Sequence, residues 1–98
     1  MPYVVITKDK PNSVSLRNEV RPVHLEYMTA TLSKILGAFA LVDDADIAVH
    51  GGVVVYDCED RGEAEDFVAN DPFTKAGLFE SVTISRCRKA FFNYERLI

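Results

Sequence analysis

The sequence lacks any apolar run near the roughly 20 residues that a membrane-spanning helix requires. Its opening, Met1-Pro2-Tyr3-Val4-Val5-Ile6, has no basic leader and no cleavage site, and Lys8 and Asp9 end the apolar stretch too early for a signal peptide. A cytoplasmic protein with no membrane partner is therefore expected. There is also no excess of basic residues: 15 acidic against 11 basic side chains leave a formal net charge of −4. A surface that neutralises phosphates needs clustered Lys and Arg, so nucleic acid is excluded as an expected partner. Cysteine is scarce. Cys58 and Cys87 are too few for a disulfide scaffold, and no Cys/His spacing matches a zinc site. No repeat, low-complexity stretch or Gly/Ser/Pro-rich linker divides the 98 residues, so one domain over residues 1–98 is expected.

What is present is a soluble globular composition, 48% hydrophobic and 27% charged. Tyr3-Val4-Val5-Ile6-Thr7 is β-branched and aromatic with neither face polar, which predicts a strand buried on both sides. Apolar positions at helical spacing run from Leu16 to Leu36, interrupted by Pro22. A proline fits the first turn of a helix, so the main helix is predicted from Pro22 to Leu36, with Ser13–Arg21 as a separate or kinked lead-in and Gly37 as terminator. A strand over Ala38–Val42 and an acidic turn, Asp43-Asp44-Ala45-Asp46, precede a third strand from Val49 to Tyr56. Within it, Gly51-Gly52 predicts a bulge or a close backbone approach. Asp60 and Glu63 suggest a capping box before a helix whose apolar face is Ala64, Phe67 and Val68. Asp71-Pro72-Phe73 opens a short helical turn ending at Gly77, and alternation predicts a last strand from Phe79 to Lys89.

The order is βαββαβ, the ferredoxin-like α+β fold: an antiparallel sheet with helices on one face and the first strand between the third and fourth. In it the two cysteines stand two strand spacings apart, about 9–10 Å, too far for a disulfide; both are expected as free thiols. The uncovered sheet face and the apolar tail Ala90–Ile98 together predict a homodimer that pairs through its sheets.

Arg17, Arg21 and His24 fall at i, i+4 and i+7, one stripe of a continuous helix. Two guanidinium groups beside an imidazole form an anion-binding edge and favour the neutral ring a general base needs. Plainer roles are open to the same residues: His24 bonded to a backbone carbonyl, and the arginines paired with Glu19 or Glu26. Asp71, before Pro72, is placed to cap the short helix, one oxygen capping while the other orients a histidine. Tyr3 and Phe73 are expected in the core, though the Tyr3 hydroxyl on the first strand could line a cleft beneath the helices. His50 is expected on the surface at a strand end, and Asp43, Asp44 and Asp46 form a solvated turn that lacks the Gly and Glu of a calcium loop.

The Arg17…Arg21-Pro22-x-His24 and Asp71-Pro72-Phe73-x-x-Ala76-Gly77 pieces, in this order and with Gly37 and Gly51-Gly52 between them, resemble the YciI-like (YCII-related) domain family of the dimeric α+β barrels. That resemblance implies a dimer built through the sheets and an active-site histidine and aspartate, which fall on His24 and Asp71. One related enzyme removes hydrogen halide from a halogenated hydroxyquinol, and related isomerases shift a proton on a small lactone. The expectation is a lyase or isomerase that needs no cofactor and no metal and acts on a small anionic or phenolic ring. His24 and Asp71 would be catalytic, and Arg17, Arg21, Tyr3 and Phe73 would bind substrate. The alternative is a non-catalytic dimer that binds a small metabolite.

Overall fold

A computed structural model describes residues 1–98. The elements are β1 (Tyr3–Asp9), α1 (Val14–Ala30), β2 (Ile35–Val42), β3 (Val49–Tyr56), α2 (Arg61–Asn70), α3 (Pro72–Lys75) and β4 (Phe79–Arg86). A 3-10 turn, Leu32–Lys34, joins α1 to β2, and the tail folds into a small hairpin of β5 (Phe91–Phe92) and β6 (Glu95–Arg96). The sheet runs β2-β3-β1-β4, antiparallel throughout, so the first strand does lie between the third and the fourth. This is the ferredoxin-like α+β fold.

The period of two along a strand explains how the sheet divides its side chains. Tyr3, Val5, Val54, Tyr56 and Ile84 face the helices, where the Tyr56 and Phe67 rings stack at 4.2 Å over Ala64. On the other side Ile6 is 44% exposed, against 2% for Val5, and Phe39 is 62% exposed. β1 is thus central by hydrogen bonding and, within one chain, covered by helices on one face only. No helix is long and apolar enough to cross a membrane.

Four local expectations are corrected. Pro22 does not divide α1, which runs unbroken from Val14 to Ala30. The missing proline N–H leaves the Asn18 carbonyl without its helical donor, but both residues are exposed and water can take the bond. The helix stops before Gly37 because Thr31 turns back, its Oγ1 donating to the Tyr27 and Met28 carbonyls at 3.1 and 3.2 Å. Gly37 lies inside β2 instead. At α2, Asp60 accepts from the Gly62 N–H at 2.9 Å, but Glu63 does not complete a capping box; its carboxylate takes Lys34 Nζ at 2.9 Å. β4 ends at Arg86, three residues short of Lys89.

Gly51 and Gly77 are required by geometry. A Cβ on Gly51 would sit 2.2 Å from the Thr7 carbonyl oxygen, and the β2–β3 register slips beside it at His50. Gly77 has φ +74°, the left-handed close of α3. Both cysteines are free, Cys58 buried and Cys87 half-buried.

Candidate active site

The unbroken α1 keeps Arg17, Arg21 and His24 on one stripe, and α3 packs against that helix. Asp71 is the last residue before α3, with extended backbone (φ −64°, ψ 128°) and Pro72 at the first helical position. Its Oδ1 accepts from the Phe73 N–H at 2.9 Å and meets His24 Nδ1 at 2.9 Å as well. The expectation of one oxygen for the cap and the other for the histidine is therefore corrected: a single oxygen takes both bonds. A carboxylate only accepts, so the neutral ring carries its proton on Nδ1 and presents the Nε2 lone pair. His24 bonds no backbone carbonyl. Its side chain is 17% exposed and that of Asp71 10%, so the pair is sheltered yet reachable.

Phe73, wholly buried, lies beneath the imidazole with ring centroids 4.0 Å apart and planes 17° from parallel. Arg17 Cζ lies over the same phenyl ring at 4.6 Å. Its Nε and Nη2 donate to the two oxygens of Asp9 at 2.7 and 3.0 Å, a two-point fork largely shielded from water. Arg21 makes no ion pair. Neither arginine pairs with Glu19 or Glu26.

A cleft of about 280 Å3 opens beside this cluster, between α1 and the β2–β3 half of the sheet. Arg21, His24 and Met28 line it from the helix, and its floor is Ala38, Ala40 and Gly52. Small residues there explain why a cleft exists: nothing rises from the sheet to meet the helix. The volume is near the lower end of the roughly 300–1,000 Å3 of small-molecule sites, a size suited to a single ring.

Tyr27, packed against the core cluster of Tyr3, Tyr56 and Phe67, donates its hydroxyl to the Phe67 carbonyl at 2.7 Å. Burial, with the nearby Asp71 and Tyr56, pushes its pKa up to about 12, so it stays a neutral donor. Of the residues expected to bind substrate, Arg17, Arg21 and Phe73 line the cleft, whereas Tyr3 does not. Tyr3 belongs to the core cluster with Tyr56 and Phe67, because its place at the start of β1 puts it under α2 rather than under α1. Asp9 is the residue that sequence reasoning missed, and its only signal was a carboxylate at a strand end eight positions before Arg17. His50 is exposed at the β3 bulge, and Asp43 of the acidic turn accepts from the Ile47 N–H at 2.9 Å. The structure gathers no group of three or more His, Cys, Asp or Glu side chains of the kind that holds a metal ion.

Comparison with known proteins places this geometry in a family. Protein YciI of Escherichia coli is 29% identical, and an uncharacterised protein of Haemophilus influenzae 28% identical, each alignment covering 93% of this chain and all of the relative. Among solved structures, the chain is similar to 5-chloro-2-hydroxyhydroquinone dehydrochlorinase (TftG) of Burkholderia phenoliruptrix, in complex with 2,5-dihydroxybenzoquinone. The identity is 30% and the TM-score 0.85, over 90% of this chain and 94% of that one. A protein of Agrobacterium tumefaciens, 14% identical with a TM-score of 0.57 over the whole of both chains, shares the fold alone. The model of the YCII-related domain matches residues 1–88, which takes in every residue of the cleft and leaves only the C-terminal hairpin outside. The chain belongs to the YCII-related domain family.

Proposed function

We propose that this protein is a lyase that eliminates hydrogen halide from a small halogenated polyhydroxybenzene without a cofactor, with His24 moving the protons. The observation that carries this reading is the 2.9 Å contact between His24 Nδ1 and the Asp71 carboxylate at the edge of a ring-sized cleft. Nε2 then takes a proton from a ring hydroxyl, and Asp71 steadies the imidazolium that forms. The electron pair left on oxygen forms a carbonyl, and the carbon bearing the halogen receives the proton. Loss of a second hydroxyl proton forms a second carbonyl as halide departs with its bonding pair. The net change is aromatic diol to quinone plus hydrogen halide. The first half alone is a proton shift, the chemistry of an isomerase.

Arg21, the cleft arginine without a carboxylate partner, is assigned to the phenolate oxygen. The likeness to a dehydrochlorinase solved with a dihydroxybenzoquinone supports the substrate class. We take the working unit to be a homodimer formed through the open sheet face, since exposed Ile6 and Phe39 lie on it beside Val53.

The test is halide release and quinone absorbance with chlorinated hydroxyquinols and catechols, using the wild type and His24→Gln. Release above the solution rate that falls about 10²–10⁴-fold in the variant is expected. Binding of the same compounds without conversion, unchanged in His24→Gln, would leave a metabolite-binding dimer as the correct description.

A further inference from the structure

Asp9 and Arg17 form the most shielded ion pair of the chain, with side chains 6% and 12% exposed, against 47% or more for both side chains of Lys34–Glu63 and Lys8–Glu80. Asp9 closes β1 where its register with β4 shifts, and two bonds from a rigid fork fix the guanidinium plane. A charge matched in this way has little left for a substrate anion. We propose that the pair is a positioning device for His24, acting through the Phe73 ring, and that Arg17 is not a substrate anchor; this rests on the assignment of His24 as base.

The spacing supports a stack. Arg17 and His24 are seven residues apart on α1, about 10 Å along its axis, which leaves room for one aromatic ring between them. Phe73 fills that room, 4.6 Å from the guanidinium carbon and 4.0 Å from the imidazole centroid. Each contact removes a different freedom. The Asp71 bond fixes Nδ1 as donor but leaves the ring free to swing about the N–H···O axis, and the phenyl face fixes its plane. Phe73 in turn cannot tilt while Arg17 lies on it. The direction of Nε2 is therefore set at β1, at the far end of the stack from Asp71. Small errors in that direction matter, because a displacement of about 1 Å at a reacting group can lower a rate about 10²-fold.

Arg17→Lys tests this, since it keeps the charge but can neither fork onto Asp9 nor lie flat on Phe73. Two readouts are needed. Spectra of His24 should show the Nδ1–H tautomer in both proteins, while the ring-current shift that the Phe73 face gives the His24 ring protons should shrink in Arg17→Lys as the ring begins to swing. With a chlorinated hydroxyquinol, kcat should fall about 10- to 100-fold while KM stays within about twofold. The double variant Asp9→Asn/Arg17→Gln removes both charges without leaving one buried alone, and should show the same split if Arg17→Lys folds poorly. A raised KM with kcat preserved would make Arg17 a substrate anchor. An unchanged ring-current shift and unchanged kcat beside a lowered Tm would reduce the pair to a fold-stabilising contact. The spectra decide the matter even if the wild type converts no substrate, so failure of the catalytic assignment and failure of the positioning role are distinguishable.

Discussion

Asparagine and alanine at position 71 separate two jobs that one oxygen performs. Asp71 Oδ1 caps α3 through the Phe73 N–H and holds His24 Nδ1, both at 2.9 Å. Alanine removes both bonds. Loss of the cap costs about 1 kcal/mol, and a shielded imidazole N–H without a partner about 1–3 kcal/mol. The sum, about 2–4 kcal/mol, corresponds to a fall in Tm of about 10–30 °C for a domain of this size. Asparagine keeps an oxygen where the carboxylate had one and caps about as well as aspartate, so its stability cost should stay under about 1 kcal/mol. What it lacks is the negative charge facing the imidazolium, and turnover should fall about 10²–10⁴-fold. Urea unfolding followed by circular dichroism gives the first quantity and halide release the second. Asparagine with wild-type turnover would refute the electrostatic role, and alanine with wild-type stability would refute the cap.

Gly52→Leu should fill the cleft from its floor. A Cβ there meets only the Phe39 carbonyl at 3.4 Å and Thr7 Oγ1 at 3.6 Å, so the fold should persist while KM rises about 10- to 200-fold; KM and Tm together check this. Tyr27 titrates near 12 when folded against 10.0 ordinarily, so the native state holds its proton more tightly and stability should fall as pH rises from 10 towards 12. Tyr27→Phe should flatten that fall in urea unfolding at several pH values. Phe39→Arg on the open sheet face should convert a dimer to a monomer by light scattering, and a monomeric wild type would contradict sheet-to-sheet pairing.

Much of the sheet was legible because strand signals are local. β-branched runs and period-two alternation mark β1 and β3, and the element order alone implies where β1 lies in the sheet. Helix limits were less legible. Pro22 reads as a break in isolation, but its unpaired Asn18 carbonyl faces water, and the stop at Thr31 depends on a hydroxyl turning back onto the helix. The apolar spacing of Leu32, Ile35 and Leu36 carries the helical pattern on into what becomes β2. The His24–Asp71 contact spans 47 positions, and no local spacing encodes it; the paired motifs of the family did. The Asp9–Arg17 fork had no such motif, and for Tyr3, which lies in the core as expected, a sequence shows that a tyrosine faces the helices but not which helix covers it.

The most direct test of the central claim is the structure of the protein with 2,5-dihydroxybenzoquinone bound. The account predicts the ring in the cleft over Gly52 and Ala38, with one oxygen about 2.6–3.2 Å from His24 Nε2 and another at Arg21. A ring bound elsewhere, or bound in the cleft with Nε2 turned away from it, would contradict the assignment of His24 as the base.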